Sequence, residues 1–411
     1  MKIELHLLQN FAPSNLNRGD TGTPKDCEFG GYRRARISSQ CQKRAVRQLF
    51  QLRGLLAEEE LGARTKRLAA RVADDLQSRH GLPADEARRL ALGAIEGCGL
   101  GLDTKDPEGW KTQYLLFVPR RVVGALADLL FQHREDLAST APTAAANSEN
   151  PGDSDPASRS GKSKAKKQAK AAYPTVLRKA VEAVLKDAGS TVDLALFGRM
   201  IADKPEWNVE AACQVAHAIS TNRVEMDFDF FTAVDDFRLG DTAGSDMMGT
   251  VEFNSSCFYR YAVLDVDALR ENLGGGETGA DALVRKAVDG FVKAFVSAIP
   301  TGKQNSMAAH NFPSYVLAVV RDGGQPLSLT NAFLKPARPG RRDAVELDLV
   351  DDSITKLESY FSRMRDVPGG TARAAVRWAD RDLSDAAGTT VAATLGELFE
   401  ALTRHAAGPG A

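Results

Sequence analysis

Cysteine is scarce in this 411-residue chain, and what there is excludes several classes of protein. The five residues Cys27, Cys41, Cys98, Cys213 and Cys257 are odd in number and scattered, with no CxxC spacing. They argue against a disulfide framework or a zinc ribbon and for reduced thiols in a cytosol. His6, His217 and His310 lack ligand-like spacing, so neither a metal nor any other cofactor is expected. Excess charge of one sign is also missing: 53 Lys and Arg stand against 54 Asp and Glu, a formal net charge of −1. No global field draws the chain to nucleic acid or membrane, and any attraction must come from local clustering. Apolar runs are too short to span a bilayer, and the start MKIELHLLQNF is too polar and alternating for a signal peptide. A cytoplasmic protein with no membrane partner is expected. GxxxxGK[ST] and GxGxxG patterns are lacking, which leaves a nucleoside triphosphate site unsupported.

What is present suggests two or three domains of mixed architecture. Ile3–Leu8 reads as a strand, followed by a polar loop and then, from Ser39, a helix. Ser39 and Gln42 suggest a capping box, with Cys41, Ala45, Leu49, Leu52 and Leu56 as the apolar face. Residues 58–137 read as mostly helical. Ala138–Ala172 has almost no large apolar residue and reads as a solvated tether whose lysines (Lys162, Lys164, Lys166, Lys167, Lys170) are spread along it. Helices are expected over Val176–Lys186 and Val209–Ala218. A long hairpin then pairs MDFDFFTAVDDF with VEFNSSCFYRYAVL. Helices fit Asp281–Ala298, Ile354–Arg363 and Val391–Arg404, and a strand fits Tyr315–Val320. Without regular βαβ repetition, the expected class is α+β.

Positive charge is concentrated in one place. KDCEFGGYRRARISSQCQKRAVR (Lys25–Arg47) holds seven Lys or Arg and two acids. On a helix, Gln40, Lys43, Arg44 and Arg47 share one face, and in an extended segment Arg34 and Arg36 point the same way. Cations at a helix N-terminus oppose its dipole, so an anion is the natural complement. Free N–H groups, the Ser38 and Ser39 hydroxyls and several guanidiniums suit phosphate oxygens, with Gly30 and Gly31 permitting close approach. The spread of charge fits repeated phosphates better than one nucleotide; the alternative is a solvated basic face paired with acids elsewhere. DFDFF (Asp227–Phe231) reads as a half-buried strand with an acidic outer face rather than a converging metal site, and GGGETG (Gly274–Gly279) as a turn.

The stretch LNRGDTGTPKDCEFGGYRRARISSQCQKRAVR resembles the start of the CasC family, the guide-RNA-binding backbone of the type I-E CRISPR surveillance complex, Cascade. DLALFGRM, AHAISTNRVEMDFDFFTAVDD, GTVEFNSSCFYRYAVL and PLSLTNAF resemble further family blocks in family order; the Ala138–Ala172 insertion departs from the pattern. The resemblance implies an RRM-like (ferredoxin-like) palm in two parts, 1–57 and 259–411. It also implies helical fingers over 58–200 with the flexible insertion near 138–172, a return helix at 201–221 and a β-hairpin thumb at 222–258. It implies that copies stack head to tail along CRISPR guide RNA beside other Cascade subunits and reach target DNA through guide pairing. Carried over, Arg18, Lys25, Arg34, Arg36, Ser38, Gln40, Lys43, Arg44 and Arg47 would hold guide phosphates. Met200 and Met248 would make apolar contacts where the RNA kinks, and Lys303 and Gln304 would add a second polar contact. Met200 could equally be core.

The family is regarded as non-catalytic, so the first reading is a scaffold that sheathes guide RNA. Related backbone proteins cut target RNA with an Asp in the early loop. The alternative is therefore a metal-dependent RNA endonuclease using Asp20 or Asp26. A self-assembling structural protein without RNA would leave the basic stretch unexplained.

Overall fold

The structure, a computed structural model, describes residues 1–137, 173–187, 189, 191–233, 247–275, 279–342, 345–365, 372–383 and 388–406. The Ala138–Ala172 insertion, and residues 234–246 with Asp235 and Asp236, expected as the turn of the long hairpin, lie outside them. The chain divides into two compact units, Met1–Leu56 with Ala212–Glu271 and Gly275–Ala411, and Ala57–Ala211 with Asn272–Gly274.

The first unit is α+β, built on a ten-stranded, mostly antiparallel sheet. Its strands include β1 (Lys2–Ser14), β2 (Asp26–Phe29) and β3 (Tyr32–Ile37). Along the sheet the order is Thr390–Val391, Ala374–Ala379, Tyr315–Arg321, β1, Met247–Asp265, Ala218–Ser220, β3, β2. β1 is central, pairing antiparallel with Tyr315–Arg321 on one side and Met247–Asp265 on the other. Both sheet faces are covered, which is why Ile3–Gln9 is buried without the expected alternation. Leu8 packs with Tyr259, Leu317, Phe333 and Leu357 on the side of the helix Leu349–Arg365. On the other side Gln9 meets Arg260, whose guanidinium also donates to Gln42 Oε1 (3.3 Å) and Phe295 O (2.6 Å). Burial draws the pKa of Arg260 down to about 10, still cationic at neutral pH. A buried ion pair, Arg321 Nε to Glu4 Oε1 at 2.5 Å, sits beside His6, which stacks on Tyr261.

The helix α1 spans Ser39–Leu52. Its N-cap is Ser38, whose Oγ accepts from the Cys41 N–H (3.3 Å), in place of the expected box from Ser39. Its buried face is Gln42, Ala45, Val46 and Phe50, a rotation from the expected stripe that leaves Leu52 79% exposed. The pattern misled because polar Gln42 is taken inward by Arg260 and by the Ala216 carbonyl (2.8 Å).

The segment read as a return helix at 201–221, with its helical core at Val209–Ala218, is not one. It holds a single 3₁₀ turn, Pro205–Trp207, and the short strands Cys213–Val215 and Ala218–Ser220. Pairing with Met247–Asp265 overrides its weak helical periodicity. The last expected helix also starts late, at Leu395, because Thr390–Val391 joins the sheet.

The second unit is mostly helical. Leu68–His80, Ala84–Gly97, Val122–Gln132 and Thr175–Lys186 enclose one apolar cluster. A two-stranded ribbon joins Gly62–Thr65 to Leu116–Pro119. Arg199 is buried there, donating to the carbonyls of Trp207, Phe117, Leu185 and Lys186. Its neighbour Met200 is 85% exposed, which removes the core reading for that residue.

Candidate nucleic-acid interface

Past a register shift between Phe11 and Ser14, the chain leaves the sheet into the loop between β1 and β2. That loop is internally tied. Lys25 N–H donates to Asn17 O (2.9 Å), Gly19 N–H to Thr23 O (2.8 Å), and buried Asn15 Nδ2 to the Gly22 and Glu252 carbonyls (3.0 Å each). Asn17 Oδ1 accepts from the Ser38 N–H (2.8 Å), pinning the loop to the start of α1. Thus a stretch of Asn, Gly, Asp and Thr becomes a fixed structure.

Against it lies the turn Thr301–Gly302. A Cβ on Gly302 would come within 2.4 Å of the Leu16 carbonyl oxygen and 2.7 Å of that of Asn15. Gly302→Ala is therefore expected to cost about 1–3 kcal/mol as an overpacking change and to part the two loops. A lowered melting midpoint together with weakened RNA binding would show it. Between loop, turn and helix start is an open cleft of about 510 Å³, lined by Arg18, Gly19, Asp20, Cys41, Arg44, Thr301 and their neighbours. Lys25 and Arg36 border an adjoining small pocket that shares Leu16 and Asn17 as its wall. The Cys41 thiol is raised by burial and stays protonated.

Next to Thr301–Gly302 the backbone is strained. Lys303 (φ 51°) and Ala308 (φ 47°) both adopt the left-handed conformation, at about 1–3 kcal/mol each. Gln304 braces the turn, its Nε2 donating to Pro300 O (3.0 Å) and Ala309 O (3.3 Å). The amide nitrogen is thereby committed to the loop, while Lys303 stands at the start of the braced turn.

The basic residues thus separate. Arg18 and Arg44 line the cleft, Lys25 and Arg36 the adjoining pocket, and Gln40 is exposed on the first turn of α1. Lys43 and Arg47 are half-buried on α1. Arg34 is a correction: it is fully buried, and its guanidinium donates to the carbonyls of Ser220, Thr221, Asn222, Phe333 and Leu334 at 2.6–3.5 Å. Its charge is spent on holding three chain segments together. Ser38 is likewise consumed as an N-cap. Gly30 and Gly31 make the two-residue hairpin turn between β2 and β3 with φ of 62° and 77°. What approaches Gly30 closely is the Leu334 carbonyl.

The second feature is a ribbon, Asp227–Ala233 paired with the first part of Met247–Asp265. The half-buried reading of DFDFF fails, since Asp227–Thr232 is exposed throughout. Phe228, Phe230 and Met248 lie on one face, opposite Glu252, Thr250 and Thr232, at 65%, 63% and 67% exposure. On the other face Phe231 lies over Gly249, where a Cβ would meet its ring at 2.5 Å. The two exposed phenylalanines were missed because alternation is the same whether a ribbon is backed on one face or on neither. Among the described residues no His/Cys/Asp/Glu group could hold a metal ion, and no helix is long and apolar enough to cross a membrane.

A sheet-based unit with a cation-lined cleft and an exposed aromatic ribbon is the kind of surface that grips a single-stranded polyanion. The chain belongs to the CT1975-like protein family, which it matches over residues 3–401. It is therefore a CRISPR-associated protein of the Cascade type. It is similar to a chain of a solved CRISPR RNA-guided surveillance complex in a pre-nicking state, at 31% identity and TM-score 0.79, over 99% of this chain and 100% of that one. A chain of another CRISPR RNA-guided surveillance complex matches at 26% identity and TM-score 0.71, over 98% and 100%. Among curated proteins no significant match is found.

Proposed function

We propose that this protein is a guide-RNA-binding backbone subunit of a type I-E Cascade complex. Copies assemble head to tail along the RNA, beside other Cascade subunits, and leave its bases to pair with target DNA. The observation that carries this reading is the cleft, where cations from the early loop and α1 meet a strained, braced turn. Such a cradle binds phosphates without reading bases, as a subunit serving any guide requires. The first unit then supplies an RRM-like palm, the second the fingers, and the Phe228–Phe230–Met248 ribbon the thumb. Aromatic faces on that ribbon would stack on unpaired bases, worth about 1–3 kcal/mol per base. Met200 on the fingers and Lys303 beside the cleft complete the expected contacts. Sequence in the target is read by base pairing, and the protein acts as a non-catalytic scaffold in the cytoplasm.

One observation keeps the endonuclease reading in view: Asp20 is among the residues that line the cleft. Asp26, by contrast, is ion-paired to Arg33. Single-stranded RNAs of graded length, incubated with the protein with and without Mg²⁺, separate the two readings. A ladder of shifted bands growing with RNA length on a native gel, and intact RNA on a denaturing gel, is the expected result. Mg²⁺-dependent cleavage lost in Asp20→Ala would replace the scaffold by an enzyme.

A further inference from the structure

Arg36 is held at two of its three nitrogens. Its Nε donates to the Asp26 carbonyl (3.1 Å) and its Nη1 lies 3.0 Å from Nδ1 of His217, in the link between the strands Cys213–Val215 and Ala218–Ser220. Nη2 has no partner among the described residues. Two edges of the guanidinium fork are fixed and one is presented, the pre-organised state that suits a phosphate oxygen. We propose that His217 is the positioning residue for Arg36, acting as a neutral acceptor that aims the guanidinium at the RNA backbone. The proposal rests on the RNA-binding reading above.

Chemistry fixes the protonation state. An arginine N–H can only donate, so Nδ1 must carry a lone pair and the proton must sit on Nε2. The surroundings favour that form: partial burial, then Arg36 and Lys25, hold the His217 pKa below the ordinary imidazole value. Other charged and titratable groups nearby do not offer a counter-charge. The Asp26 carboxylate is ion-paired to Arg33, and Arg34 is turned inward to backbone carbonyls. The thiols of Cys27 and Cys213 are raised by burial and remain neutral, and Lys43 of α1 adds positive charge toward Cys213.

Protonation of His217 would replace the lone pair by an N–H aimed at a cation. The hydrogen bond is lost, like charges face each other, and Arg36 is released from its aim. The consequence runs against intuition. Adding positive charge by acidification ordinarily tightens RNA binding, whereas here it should weaken it.

The test is the affinity of the full-length protein for an oligouridine RNA between pH 7.5 and 5.0 at constant ionic strength, uracil having no protonation in that range. For the native protein, affinity should fall about tenfold relative to His217→Asn, the scale of one charge-assisted hydrogen bond. His217→Asn keeps an acceptor near the Nδ1 position without titrating, so it should match the native affinity at pH 7.5 within about twofold. His217→Ala should be weaker at pH 7.5 and lack the acid-dependent loss. Parallel pH profiles for native protein and His217→Asn would overturn the proposal. Arg36→Gln distinguishes the deeper failure: unchanged affinity at pH 7.5 would overturn the phosphate contact itself.

Discussion

Reversing Lys43, Arg44 and Arg47 together to Glu is expected to abolish RNA binding while leaving the fold intact. All three lie on α1, whose inward residues are Gln42, Ala45, Val46 and Phe50, so the changes add no volume to the core. Each cation that meets a phosphate releases counterions, and binding to a single strand varies with salt by about 0.7 in log–log slope per phosphate. Loss of three such contacts lowers affinity, and three carboxylates then repel the same phosphates. We expect at least about a thousandfold loss near physiological salt. The uncharged variant, Lys43→Gln with Arg44→Gln and Arg47→Gln, should retain weak binding with a salt slope shallower by about 2. Fluorescence anisotropy over a range of KCl concentrations measures both, and circular dichroism with a melting curve checks the fold. A folded triple reversal with native affinity would remove α1 from the interface.

Arg34 and Arg36 are two residues apart in β3 and should fail in opposite ways. Arg34→Met leaves the carbonyls of Ser220, Thr221, Asn222, Phe333 and Leu334 without their shared donor in a dry site. Removing one partner from a buried, charged hydrogen-bond cluster costs about 3–5 kcal/mol, because the stranded polar groups cannot reach water. Arg34→Lys should rescue little, since one ammonium cannot span acceptors on two separate segments, Ser220–Asn222 and Phe333–Leu334, as a planar fork does. Arg36→Met removes a half-buried guanidinium that is held at Nε by the Asp26 carbonyl and at Nη1 by His217. It should change stability by less than about 1 kcal/mol and lower RNA affinity about tenfold. Urea midpoints and anisotropy on the two variants provide the comparison. If Arg34→Met melts like the native protein, the clamp has been overvalued. If Arg36→Met binds RNA unchanged, Arg36 is no part of the interface.

The contrast between these two arginines marks where sequence stops informing. Composition and motif order were enough to read α+β architecture, the separate helical block, the long hairpin and a local basic cluster. These follow from short-range properties: periodicity, turn chemistry and charge spacing along one segment. The Lys25–Arg47 stretch stands out because seven Lys or Arg fall within 23 residues around a helix start, a local density legible whatever surrounds it. Alternation in RRARI, however, carries no information on which face of β3 is covered. Only assembly with Ala218–Ser220 and the turn Thr330–Phe333 turned Arg34 into a buried clamp, while Arg36 was left at the surface beside His217. The same limit applies to Gln42, drawn inward by Arg260 from a distant strand, and to Phe228 and Phe230, exposed because no layer among the described residues backs their ribbon. Thr301 and Gly302, which close the cleft, are nearly 300 residues from Leu16. The sequence by itself determined that charge would gather near α1 and that strands and helices would mix. The tertiary structure decided which cations face solvent, because burial is a property of contacts between segments far apart in the chain.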